Sequence, residues 1–105
     1  MEVLKEFIQV VKAEEFVEGH EVLEVLWKEW KNDPHKREES FILKGLINGS
    51  TALALLKMHR VEGALRVWDT FNKYKPLIYT CPSDFTPFYF EAQTLLEDKF
   101  KALSC

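Results

Sequence analysis

The chain has 105 residues, of which 47% are hydrophobic and 30% are charged, and its formal net charge is −3. This length fits one domain with a modest core, and the composition is typical of a soluble folded protein rather than a disordered one. The 14 basic residues form no run, so we expect no nucleic-acid partner.

Hydrophobic spacing predicts two helices in the first third of the chain. The first ends near Ala13, and the second covers roughly 16–31. On the second helix, His20 lies inside the predicted apolar stripe and Glu24 lies at its edge, whereas Glu21 faces water. The residues of that stripe are Phe16, Leu23, Leu26, Trp27 and Trp30.

Asp33 followed by Pro34 is a helix-start signal, and it predicts a third helix that runs to about Met58 or His59. Apolar residues surround nearly its whole circumference between Phe41 and Met58, so we expect this helix to be the central, buried element. Small residues on one side, Gly45, Gly49 and Ala52, indicate a closely packed neighbouring helix. Lysines interrupt this apolar stretch, so we expect no membrane span.

Two further helices complete the prediction. The fourth covers about 61–74, and the last begins at the cap-plus-proline pair Thr86–Pro87 and runs to about Leu103. The segment 75–87 between them holds three prolines and is the one long connection. The fold class predicted is therefore an all-α, single-domain bundle of about five helices around a buried third helix, with residues 1–105 in one domain.

Cysteine usage and the first residues indicate the compartment. Cys81 and Cys105 do not make a disulfide framework, and the charged start 1–7 is unlike a secretory signal. We therefore expect a cytoplasmic protein whose thiols stay reduced.

Three short motifs carry a family resemblance. They are His20-Glu21-Val22-Leu23-Glu24-Val25-Leu26-Trp27, then Gly45-Leu46-Ile47-Asn48, then Gly63-Ala64. In order and spacing they resemble a bacterial and archaeal family catalogued as domain of unknown function 309, over about 7–71. The chain departs from that pattern at Asn48, where glutamine is usual. The resemblance implies a compact helical fold and no established activity.

The candidate site consists of the motif residues His20, Glu21, Glu24 and Trp27, together with Asn48 on the central helix. His20 and Glu24 are one helical turn apart, so their side chains can meet. If the two helices face each other, these residues form a buried polar cluster roofed by Trp27. One interpretation is a satisfied network that fixes helix packing, and the other is a pocket for a small ligand or peptide.

Enzymatic chemistry has less support in the sequence. There is no His-Glu-x-x-His and no Glu-x-x-His pair, and two or three ligands are too few to specify zinc. No set of nucleophile, base and orienting residue is visible. The function predicted is a non-enzymatic binding or interaction module with no cofactor, no metal site and no catalytic residue. The alternative is a small hydrolase or metal-dependent enzyme using the His20/Glu24 pair.

Aromatic residues are concentrated near the last helix, where Phe85, Phe88, Tyr89 and Phe90 cannot all face one way. Two hypotheses explain them. Either the proline-rich loop covers them, or they form the surface of a homodimer.

Overall fold

Six helices make up the fold in a computed structural model that describes residues 1–104. They are α1 (Glu2–Lys12), α2 (Phe16–Trp30), α3 (Arg37–Lys57), α4 (Val61–Tyr74), α5 (Leu77–Thr80) and α6 (Thr86–Ser104). The predicted all-α bundle is confirmed, and residues 1–104 contain no strand. The five predicted helices are α1 to α4 and α6, and α5 is one extra turn inside the proline-rich connection. Cys105 lies outside the described residues, and so does the prediction made for its thiol.

Helix α3 is the centre of the bundle, as predicted. It packs against α2, α4, α5 and α6, while α1 covers α2 and α6. Its buried residues include adjacent positions such as Gly45, Leu46 and Ile47, which point to different sides of a helix at about 100° per residue. The apolar circumference read from the sequence therefore reflects neighbours on several sides.

Gly49 is the point where α3 approaches two helices at once. A Cβ atom there would lie 2.9 Å from Leu96 Cδ1 on α6 and 3.2 Å from Phe71 Cδ1 on α4. Both distances are shorter than an ordinary van der Waals contact between carbon atoms. The absent side chain allows the close packing that the small residues of α3 predict.

The contact between α2 and α3 is equally close and includes a buried hydrogen bond. Ser50 Oγ on α3 donates to the backbone carbonyl of Phe16 at 2.6 Å. A Cβ atom on Gly19 would lie 2.6 Å from that same hydroxyl oxygen and 3.3 Å from Val11 Cγ2. The bare backbone of Gly19 thus lets α2 lie close enough to α3 for this hydrogen bond to form.

The start of α3 differs from the prediction. Asp33 Oδ1 accepts a hydrogen bond from the backbone N–H of His35 at 2.9 Å, and the backbone carbonyl of Asp33 accepts one from Lys36. These bonds close a separate turn, and Lys36 then has a φ of −117°, outside the helical range. The helix consequently begins at Arg37 rather than at Pro34.

The start of α6 also uses a different residue from the one predicted. Ser83 Oγ, not a Thr86 cap, accepts the hydrogen bond from the backbone N–H of Phe85 at 3.0 Å. Thr86 is already helical, and its hydroxyl donates to the carbonyl of Ser83 at 2.9 Å. Ser83 thus closes a turn just before the helix, and Thr86 is the first helical residue rather than the cap.

A buried carboxylate connects α3 to α6. Glu39 is only 6% exposed, and its Oε2 accepts hydrogen bonds from the hydroxyls of Tyr89 and Ser83 at 2.5 Å each. Burial, and then the hydrogen bond to Glu39, raise the pKa of Tyr89, so that its hydroxyl stays protonated and donates. Lys36 Nζ lies 3.6 Å from the other carboxylate oxygen. This satisfied cluster holds the end of the proline-rich loop and α6 on the central helix.

The two glycines at positions 19 and 63 should respond oppositely to alanine. Gly19→Ala should lower the free energy of unfolding by about 1–3 kcal/mol, because the new methyl group overlaps Ser50 Oγ and disturbs its hydrogen bond. A Cβ on Gly63 would meet only Leu55 Cδ1 at 3.6 Å. Gly63→Ala should therefore raise the free energy of unfolding by about 0.5–1 kcal/mol through helix propensity.

Urea denaturation followed by circular dichroism measures both changes. Equal effects of the two substitutions would show that the close contact at Gly19 does not limit the packing of α2 on α3.

Candidate functional site

Four of the five predicted site residues line one open cleft between α2 and α3. Its volume is about 270 Å³, and its lining consists of His20, Glu24, Trp27, Lys44, Ile47 and Asn48. Glu21 is not part of it, because its side chain is exposed and it does not line the cleft. The expectation that α2 and α3 face each other across these residues agrees with the structure.

The predicted burial of the cluster is wrong. The side chains of His20 and Glu24 are 39% and 33% exposed. The residues of α2 that are buried include Phe16, Gly19 and Leu23, so the centre of the buried face lies one position before His20. The predicted buried face was drawn through the large apolar residues of α2 and did not include Gly19. It was therefore centred too close to His20.

Glu24 makes two close polar contacts on the surface of α2. Its Oε2 lies 2.9 Å from His20 Nε2, and its Oε1 lies 3.0 Å from Lys28 Nζ. The hydrogen bond and the charge of Lys28 lower the pKa of the Glu24 carboxyl, and the charge of His20 adds a smaller lowering. The cleft therefore presents an ionised carboxylate at neutral pH.

Asn48 is held by its own helix. Its Nδ2 donates to the backbone carbonyl of Lys44 at 2.7 Å, one turn earlier on α3. This bond uses one of the two amide donors and fixes the side chain, so that the rest of the amide group borders the cleft.

A second cavity of about 310 Å³ continues from the first. It shares Trp27 and Lys44 with the cleft, and its other lining residues are Lys31, Asn32, Arg37, Ser40 and Phe41. We refer to the two cavities together as the α2–α3 groove. This half was not predicted, although Arg37, Phe41, Lys44 and Asn48 follow the helical spacing that places them on one face of α3.

The chemistry available in the groove is proton transfer and polar recognition. A histidine in contact with a carboxylate can move a proton. Ser40 is the one hydroxyl in the lining, and it is buried and donates to the carbonyl of Arg37. Within residues 1–104, no three His, Cys, Asp or Glu side chains are grouped closely enough to hold a metal ion.

Cys81 does not line the groove and is unsuited to nucleophilic chemistry. It is a buried free thiol, and burial together with the nearby charges of Glu38 and Glu39 raises its pKa. The thiolate is the reactive form, so a raised pKa makes the sulfur less reactive.

The aromatic residues near α6 are largely covered. Phe85 stacks on Trp30 with ring centroids 6.2 Å apart, and Tyr89 is fully buried. Phe90 and Tyr79 are the exposed ones, at 38% and 63%, and their rings meet edge to face at 5.1 Å. These two rings are thus the most exposed aromatic residues of this region, while Phe85 and Phe88 are partly buried.

The chain belongs to the family described as Domain of unknown function (DUF309), whose sequence profile matches residues 4–67. That segment contains most of α1, all of α2 and α3 and the first half of α4, and with them every residue that lines the groove. No curated protein and no solved structure matches the chain. None of the helices in residues 1–104 is long and apolar enough to cross a membrane.

Removing Lys28 should raise the pKa of Glu24. Because Lys28 is the main cause of the lowered value, Lys28→Met should move the Glu24 pKa towards the usual value of about 4.3. Lys31→Met, which removes a charge three residues further on, is the matched control and should leave the pKa of Glu24 nearly unchanged. Carboxyl-carbon NMR titration measures both.

The same substitution predicts a pH dependence of stability. A carboxyl group whose pKa is lowered on folding stabilises the folded state above its unfolded pKa, and this stabilisation is lost as the pH falls through the folded pKa. The difference in unfolding free energy between the natural chain and Lys28→Met should therefore shrink as the pH falls from about 6 to 3. A difference that stays constant over this range would contradict the assignment.

Proposed function

We propose that this protein is a non-enzymatic binding module whose ligand site is the α2–α3 groove. The observation that carries the proposal is the position of His20, Glu24, Trp27 and Asn48 around one open cleft. The α2–α3 groove fits a small polar molecule, since its two cavities together reach the size range of small-molecule sites.

Partial exposure distinguishes this cluster from a packing device. Polar groups that hold helices together are buried and fully paired, as Glu39 and Ser50 are in this bundle. His20 and Glu24 instead remain about one-third exposed, and an ion pair at that exposure contributes little to stability. A site for a ligand accounts for polar side chains at this position better than a packing role does.

The groups around the cleft are complementary to a flat molecule with polar edges. Trp27 offers an apolar ring, and the Glu24 carboxylate accepts hydrogen bonds. His20 and Asn48 can each donate or accept. A short peptide with an aromatic or amide side chain would use the same groups, and it is the second occupant to test.

The alternative function, a small hydrolase or metal-dependent enzyme, would use the His20/Glu24 contact for proton transfer. The lining of the cleft supplies no hydroxyl or thiol nucleophile to accompany that pair. This favours binding over catalysis.

Neutral ring compounds test the binding proposal. Adenosine, uridine and benzamide at millimolar concentration should shift the NMR signals of the Trp27 indole and of the Asn48 amide. Glu24→Gln should weaken the best binder about tenfold, because it removes the charged acceptor. Glu21→Gln is the matched control, since Glu21 is on the same helix but outside the cleft, and it should have no effect.

Stability measurements complete this test. His20→Leu and Glu24→Gln should each change the free energy of unfolding by less than about 1 kcal/mol, as expected for a surface pair. A loss of about 3 kcal/mol or more would instead identify the pair as a packing element. Absence of any shift in the groove, with the fold intact, would reject the binding proposal.

Self-association is a separate part of the proposal. If the exposed rings of Tyr79 and Phe90 form a homodimer contact, light scattering should give a mass approaching about twice 12.4 kDa as the concentration rises. Phe90→Gln should shift the equilibrium to the monomer, because it removes the central apolar ring. Val25→Gln, which removes an exposed apolar side chain from α2, is the control, and a constant monomer mass would reject the dimer.

A further inference from the structure

Three cations converge on one end of the α2–α3 groove. Lys31 comes from the end of α2, and Arg37 and Lys44 come from the first half of α3. None of the three forms an ion pair with a carboxylate of residues 1–104, whereas seven other lysines do. The cavity they line, of about 310 Å³, contains no acidic residue. A chain with a net charge of −3 thus has a locally cationic groove.

Aromatic rings, rather than carboxylates, accompany these cations. Lys31 Nζ lies 4.5 Å from the centre of a Trp27 ring, and the Arg37 guanidinium carbon lies 5.9 Å from that of Phe41. Lys44 Nζ is 5.7 Å from the ring of Tyr74, which itself stacks on Phe41. A ring face attracts a cation without cancelling its charge. The side chains are therefore placed while their full charge remains available to an anion.

We propose that the ligand of the α2–α3 groove is a phosphate ester that carries a flat ring. This inference rests on the proposed function and assigns the chemical class of its ligand. The phosphate group would lie against Lys31, Arg37 and Lys44, and the ring would lie along Trp27 towards Glu24 and Asn48.

Charge favours phosphate over a single carboxylate. A phosphate monoester carries nearly two negative charges at neutral pH, which match a guanidinium and two ammonium groups better than one charge does. Arginine can bind two phosphate oxygens at once, and lysine acts as a mobile point charge. A monocarboxylate would leave most of this positive charge unmatched.

The dimensions of the groove favour a small ester over a polymer. Lys31 and Arg37 line only one end, and the other end has the Glu24 carboxylate, which would repel a second phosphate. A nucleic-acid surface needs cations along its whole length. The ligand expected is therefore a molecule of nucleoside monophosphate size.

Paired probes with and without phosphate test the assignment. Adenosine and uridine are titrated into the full chain beside adenosine monophosphate, uridine monophosphate and inorganic phosphate, and dissociation constants are read from the Trp27 indole N–H signal. The monophosphates should bind at least about tenfold more tightly than the nucleosides and than inorganic phosphate. Their advantage over the nucleosides should shrink at high salt, because it is electrostatic.

Variants locate the phosphate. Lys44→Gln and Arg37→Gln should each weaken monophosphate binding about tenfold. Arg37→Gln should leave nucleoside binding nearly unchanged, because Arg37 lines only the phosphate end of the groove, and this result shows that the groove is still folded. Lys101→Gln is the control, because that lysine is an exposed residue of α6 that does not line the groove.

Each other outcome has a distinct meaning. Equal affinity for nucleosides and monophosphates overturns the phosphate assignment and leaves the proposed binding function standing. If inorganic phosphate binds as tightly as the monophosphates, the ring contributes nothing to affinity, and the proposal of a ring-bearing ester is overturned. If neither Lys44→Gln nor Arg37→Gln weakens monophosphate binding, the phosphate group lies elsewhere and the phosphate assignment is overturned. If no probe shifts any groove signal, this inference and the proposed function both fail.

Discussion

The hydrogen bond from Ser50 to the carbonyl of Phe16 fixes how α2 lies on α3, and the groove depends on that position. It forms only because Gly19 has no side chain between the two backbones. With this part of α2 held close, the buried face of the helix is centred beside Gly19, and the next positions on its surface lie at the edge of the interface. His20 and Glu24 occupy those positions, so the same contact that seals the core leaves their polar side chains open to the groove.

Two polar clusters on α3 illustrate the difference between a structural and an available polar group. Glu39 is buried, and removing Tyr89 or Ser83 would leave its carboxylate short of a donor, at a cost of about 1–3 kcal/mol or more. Water can replace any partner of Glu24, which is one-third exposed. The need for a stable core therefore explains Glu39 fully and leaves Glu24 unexplained. The proposed ligand contact would account for the polar residues of the groove.

Sequence periodicity predicted the helices, because each has a strong apolar face and a clear break after it. The bounds of α4 agree with the predicted ones. The start of α3 was missed because the Asp33 side chain closes its own turn, a local competition that a cap-plus-proline pattern does not resolve. The Glu39–Tyr89 contact joins residues 50 positions apart, and no pattern along the chain indicates which tyrosine will reach a carboxylate. Likewise, the grouping of His20 with Asn48 was predictable from helix faces, but the degree of burial required the exact rotation of α2.

The net charge of the chain and the local charge of the groove point to different ligands. An overall charge of −3 with scattered lysines is unfavourable for binding a polyanion. Folding nevertheless brings Lys31 from one helix beside Arg37 and Lys44 from the next, in a concave site where low-dielectric walls strengthen the local field. All of these residues lie within the family segment 4–67, whereas Tyr89 lies beyond it on the helix that closes the bundle. The groove is thus lined entirely by the segment that defines the family, and α6 contributes no residue to its lining.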